Sequence, residues 1–204
     1  MNRGPVPIER QLSVLQSFGL LVTSDAKACC AADAPYVSVL EALGLGSIDE
    51  DTEIWIPSSS QVYAFNLATD EIESMYAQLF QGLQSISQGT LTFSDVRQTI
   101  HIDQQEPSSG LSWDEFSGAV QVSFHLNGRP CATTLSFLGT CIDLRILDAV
   151  NHCLEKLGIQ KRFYSTPGSQ GNIVFFCTAS WAKRFEEATL CPMDTKGISS
   201  FPRN

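Results

Sequence analysis

No apolar run in the 204 residues approaches the roughly 18 needed for a helix to cross a bilayer, so no membrane partner is expected. Basic side chains are scarce, with 13 Lys and Arg against 22 Asp and Glu and a formal charge of −9. That balance argues against direct nucleic-acid binding, which needs a basic face for the phosphates. CxxC, HxxxH and HExxH spacings are all missing, so neither a metal site nor another cofactor is expected. The N-terminal stretch has no continuous apolar segment, because Gln11, Ser13, Gln16 and Ser17 interrupt it; no signal peptide is expected. The seven cysteines are odd in number and form no small-scaffold framework. Their simplest reading is as small apolar thiols in a reducing cytoplasm.

What is present is an ordinary globular composition, 43% hydrophobic and 17% charged. At this length one domain with an appendage is the expectation. Ile8, Leu12, Leu15 and Phe18 have the spacing of a short amphipathic helix, and Pro35 opens a second one that Gly44 ends. Residues 44–60 read as an irregular acidic connector. Val62 to Leu67 reads as a strand. Ile72, Met75, Tyr76, Leu79, Phe80, Leu83 and Ile86 then make a helical stripe, with Asp70 as its expected cap and Gly89 as its stop. Leu91 and Phe93 alternate, and Val96, Ile100 and Ile102 continue in another phase, which predicts a bulge near Asp95. Val120, Val122, Phe124 and Leu126 alternate up to Asn127-Gly128, a type I′ turn signal. A two-residue loop places Leu126 opposite Arg129 and Phe124 opposite Cys131, with His125 on the other face. Ile146, Leu147, Val150, Cys153, Leu154 and Leu157 make a further helical stripe, for which Asp143 or Thr140 is the expected cap. Arg162–Ser165 and the apolar Ile173–Cys177 read as strands, the latter interior, and Ser180 is expected to cap a last helix. Strands grouped between helices predict an α+β class, with a mostly antiparallel sheet packed by three helices and a small helical N-terminal extension. The corresponding divisions are 1–57 for the extension with its acidic connector, 58–192 for the α+β core, and 193–204 for a loosely ordered tail.

No catalytic constellation stands out. A thiol nucleophile would need a base and an orienting group, and no spacing brings Cys131, Cys141 or Cys177 to His101, His125 or His152. Asp114-Glu115 beside Trp113 suggests a sugar site only weakly, because no distant second carboxylate can be named. Gly168–Gly171 lacks the Lys and helix of a P-loop.

Charge, in contrast, is unevenly spread. Residues 1–127 hold 4 basic and 16 acidic side chains, a balance of −12, whereas 128–204 balance at +3. Asp49, Glu50, Asp51 and Glu53 form the densest run, next to Trp55. Such a run is either a solvated loop or a docking patch for a basic partner, and aromatics beside acids anchor interfaces of the second kind. The expected partner-binding residues are therefore Asp49, Glu50, Asp51, Glu53 and Trp55, followed by Asp114 and Glu115.

The stretches VYAFNLATDEIESMYAQLFQGLQSISQGTLTFSD, VSFHLNGRP and NIVFFCTASWAKRFEEAT give the chain from Val62 onward a look that resembles small bacterial α+β proteins, the immunity components of toxin systems. The resemblance implies a stoichiometric protein inhibitor in the cytoplasm and carries no catalytic residues with it. Composition and resemblance together set the expectation of a non-enzymatic, acidic, protein-binding chain that blocks a toxin or other basic partner. The alternative is a cysteine-nucleophile hydrolase or transferase whose site is assembled from distant residues.

Overall fold

The computed structural model describes residues 6–22, 31, 34–48, 55–103, 113, 116–169 and 171–195. The N-terminal helices are α1 (Ile8–Ser17) and α2 (Tyr36–Gly44), followed by the short strands β1 (Ser47–Ile48) and β2 (Trp55–Ile56). Next come β3 (Val62–Asn66), α3 (Met75–Ser85), β4 (Phe93–Ile102), β5 (Gly118–Leu126) and β6 (Arg129–Phe137). The chain continues through α4 (Arg145–Lys156), β7 (Arg162–Pro167), β8 (Gly171–Cys177) and α5 (Ala179–Thr189). The fold is α+β, and its six longer strands divide into two antiparallel three-stranded sheets, ordered β3-β8-β7 and β4-β5-β6.

Two apolar clusters arrange these elements in layers. The first joins the stripes of α3 and α4 to Val120, Val122, Phe124, Leu126, Leu135 and Phe137 of one sheet and to Tyr63, Phe163, Val174 and Phe176 of the other. The second joins α1, α2 and α5 to Val62, Ala64, Ile173, Phe175 and Cys177 on the opposite face of the β3-β8-β7 sheet. The order is thus helices α1, α2 and α5, then a sheet, then α3 and α4, then the second sheet. β8 lies between two strands and two helical layers, which is why Ile173–Cys177 is apolar without alternation. Among the described residues the β4-β5-β6 sheet has one covered face, and β5 and β6 alternate. α1 is also tied to the start of β3, where the Gln61 side chain donates to Gly19 O at 2.6 Å and accepts from Leu21 N–H at 2.8 Å.

The hairpin follows the expected register, with Leu126 opposite Arg129 and Phe124 opposite Cys131. Both turn residues have positive φ, 50° at Asn127 and 77° at Gly128, as a type I′ turn demands. The β4 ladder shifts register between Ser94 and Arg97, and Asp95 has φ 50°, so the bulge falls where the change of phase put it.

The helix caps differ from expectation. Asp70 does not cap α3, which starts five residues later, at Met75, after a turn over 72–74. Gln98 of β4 explains the delay: its amide accepts from Tyr76 N–H at 3.2 Å and donates to Ile72 O at 2.6 Å, so a neighbouring strand satisfies the first turn. At α5, Thr178 rather than Ser180 is the cap, and its hydroxyl accepts from Trp181 N–H at 3.3 Å.

Neither Asp143 nor Thr140 is the cap of α4, whose N-cap position is Leu144 without a side-chain cap bond; Asp143 serves another purpose. Its carboxylate accepts from the main-chain N–H groups of Arg145 and Ser136, each at 3.0 Å, and pairs with the Arg145 guanidinium. Its own N–H donates to Tyr76 Oη at 3.2 Å. Burial raises the carboxyl pKa, but the guanidinium and the two amides outweigh it and hold it below the ordinary 3.8. A carboxyl depressed by folding stabilises the fold above pH 3.8, and that stability is lost as pH falls through the lowered value. Asp143→Asn should therefore lose stability relative to the parent at neutral pH, and the gap should narrow at about pH 3. Urea titrations at the two pH values check this, and a gap independent of pH would refute it.

Candidate functional site

The acidic run occupies the connection between two paired strands. β1 and β2 are antiparallel, with Ser47 opposite Ile56 and Ile48 opposite Trp55, so residues 49–54 link the ends of a ribbon. This corrects the irregular connector expected over 44–60. Two residues per strand leave no alternation for a sequence pattern to reveal. Apolar side chains are exposed beside the ribbon, Leu45 at 50% and Ile56 at 47%.

Leu45 and Gly46, which lead directly into β1, also line a cleft of about 720 Å³ between the end of α2, β3 and the start of α3. Its wall carries Tyr63 and Phe65, stacked with ring centroids 5.2 Å apart, and the polar groups of Asn66, Thr69, Ser74 and Gln78. Glu71 is the charged residue of this lining. Its carboxylate accepts from Ser74 Oγ at 3.0 Å and from the Gln78 amide, which fixes it at the mouth of α3. The arrangement suits a cation with an apolar stem, such as a Lys or Arg side chain of another protein. Glu71 is not among the site residues expected from the sequence. The Ser and Gln three and seven residues further on were the available sign that its carboxylate is held in place.

Asp49, Glu50, Asp51 and Glu53 lie outside the described residues, as do Asp114 and Glu115; of Trp55, the backbone is described, paired in β2. What is described around the run is the pair of ribbon strands that bracket it in the chain, the first of which follows directly on Leu45 and Gly46 of the cleft lining. Trp113, between the two loop segments, is 47% exposed and rests its ring 5.9 Å from Phe116 and 6.1 Å from Phe137. The expected tail overlaps the described chain at residues 193–195, where Asp194 bridges to Ser165; residues 196–204 lie outside it.

His152 lines one small cleft together with Cys131 and Cys153, while Cys177 and Cys191 are buried. Cys177 is buried in β8, and desolvation pushes its thiol up to about 12 against the opposing pull of Lys161. Burial raises Cys191 as well. His125 faces away from the core and places Nδ1 3.2 Å from Asp95 Oδ2. His152 lies 3.8 Å from Glu155. Among the described residues no histidine is hydrogen-bonded to a thiol, no three His, Cys, Asp or Glu side chains cluster as metal ligands, and no helix is long and apolar enough to cross a membrane.

No protein-family model matches the chain, nor does any curated protein or solved structure.

Proposed function

We propose that this chain is a non-enzymatic protein-binding protein of the cytoplasm, an immunity-type inhibitor that blocks a basic toxin by covering its surface. The observation that carries the reading is the position of the acidic run: four carboxylates in the link of a ribbon whose first strand grows out of a cleft holding a fixed Glu71. The −12 balance of residues 1–127 supports it, because a one-signed field steers an oppositely charged partner and accelerates encounter. Leu45 and Ile56 supply the apolar area that a purely electrostatic contact lacks. The Trp55 and 49–53 side chains are the proposed contact set, with Asp114 and Glu115 as a second acidic element.

The test begins with affinity capture of the partner from the native cell and measurement of its activity as the inhibitor is titrated. One-to-one neutralisation is expected. Reversing Asp49, Glu50, Asp51 and Glu53 to lysine should slow association by about tenfold or more and flatten its dependence on salt. Glu71→Lys should raise the dissociation rate instead, because a contact inside a cleft is lost after docking. If the lysine variant associates at the parental rate with the parental salt slope, the ribbon is not the contact.

A further inference from the structure

A small cleft between β6 and α4 is lined by basic side chains. It has a volume of about 390 Å³ and is walled by the start of β6 and one flank of α4. Ala149, His152, Cys153 and Lys156 line it from the helix, at i, i+3, i+4 and i+7, and Arg129 and Cys131 line it from the strand. Arg129 and Lys156 are cations, and the lining includes no carboxylate. Two thiols meet there. The Cys131 Sγ–H donates to Arg129 O at 3.8 Å, and its sulfur shares the cleft wall with Cys153. Both cysteines are half-buried, packed on the core on one side and open to the cleft on the other. They come from elements that share only their packing against each other, and 22 residues separate them in the chain.

We propose that Cys131 and Cys153 form a thiol–disulfide exchange site that accepts anionic low-molecular-weight disulfides of the glutathione class. The site closes to an intramolecular Cys131–Cys153 disulfide. Burial above all, with the neighbouring Cys153, pushes the Cys131 thiol up to about 12, against the pull of Lys156. Cys153, which shares the α4 wall of the cleft with Lys156, is assigned as the attacking sulfur, and Cys131 on the strand wall as the resolving one. In the first step the Cys153 thiolate forms a bond to one sulfur of the small disulfide. The S–S bond breaks, and the departing thiolate takes a proton from solvent. In the second step Cys131 attacks the Cys153 sulfur of the mixed disulfide, and the second small thiolate leaves with the Cys131 proton. The protein dithiol is oxidised by two electrons and the small disulfide is reduced to two thiols. Arg129 and Lys156 favour the anionic reagent by charge complementarity. The resulting bridge pins the edge strand β6 to α4 and leaves the acidic ribbon untouched.

The folded protein is treated with oxidised glutathione, and in parallel with the uncharged bis(2-hydroxyethyl) disulfide. The reaction is quenched by alkylation, and the cysteine peptides are mapped by mass spectrometry. The expected product is a Cys131–Cys153 linked peptide that forms before Cys141, Cys177 or Cys191 reacts, and faster with the anionic reagent. Cys131→Ser should stop the reaction at glutathione on Cys153. Arg129→Glu with Lys156→Glu should reverse the preference between the two reagents while both cysteines remain. The wild-type mapping needs no variant to fold. The proposal is overturned if Cys131 and Cys153 stay reduced while another described cysteine reacts, if glutathione persists on Cys153 in the parent without closure, or if the uncharged reagent reacts faster.

Discussion

Asn151→Ala is expected to lower the unfolding free energy by about 2–3 kcal/mol. Asn151 sits in α4 with its side chain buried against β7, the edge strand of its sheet. Its amide completes the edge as another strand would: Phe163 N–H donates to Oδ1 at 2.8 Å, and Nδ2 donates to Phe163 O at 2.9 Å. Removing the amide forfeits two buried hydrogen bonds and strands a main-chain donor and acceptor where water has poor access, which costs more than the bonds themselves contribute. Asn151→Asp should be at least as damaging, because a carboxylate faces the Phe163 carbonyl with no proton to offer. Two residues along the strand, Ser165 exchanges hydrogen bonds of 2.7 and 3.0 Å with the main chain of Asp194. The same edge is therefore covered twice, once by a side chain and once by the returning chain, which removes a template for pairing with other molecules. Urea denaturation of both variants measures the loss, and a change under about 0.5 kcal/mol would show that the amide is dispensable.

Gly82→Val is expected to cost about 3 kcal/mol, and Gly82→Ala about 1–2 kcal/mol, although alanine is the better helix former. Gly82 lies inside α3 directly beneath Tyr63 of β3, and a Cβ there would fall within the tyrosine ring. Two effects of opposite sign compete. Alanine gains about 0.5–1 kcal/mol of backbone entropy and propensity. Against that, the ring must move, and it is held by burial on one side and by its stack with Phe65 on the other. Overpacking a closed core costs about 1–3 kcal/mol, so the clash wins. The decisive measurement is a double-mutant cycle. In a Tyr63→Ala background the clash is gone, and Gly82→Ala should become neutral or stabilising by up to about 1 kcal/mol. If alanine destabilises equally in both backgrounds, the ring is not the cause.

The elements that could be read from residues alone were those with a local physical signature. The stripes of α3 and α4 and the alternation of β5 repeat with the period of the structure they form. Asn127-Gly128 admits positive φ at both positions, and so it determined the hairpin register and the face of each side chain across β5 and β6. The phase change after Phe93 announced the bulge at Asp95 in the same way. Caps were less legible because they are not local here. Asp70 is a good cap by type, yet Gln98 from another strand satisfies the first turn of α3 and moves its start to Met75. The acidic run was plain as composition. That it joins two paired strands was not, since a ribbon with two residues per strand carries no repeat. Cys131 and Cys153 each looked like part of an apolar pattern, and only the packing of α4 on β6 makes them neighbours.

The sequence by itself determined the α+β class, the main helices and strands, and a charge balance that leaves the first 127 residues strongly acidic. These are properties of short windows, where steric limits on φ and ψ and the side-chain period act within a few residues. The tertiary structure alone decided that six strands form two sheets with α3 and α4 between them, that α1 and α2 share a core with β3, β8 and α5, and that Asn151 closes the β7 edge. Each of these joins residues far apart in the chain, and such contacts are chosen by which apolar faces can be buried together at once.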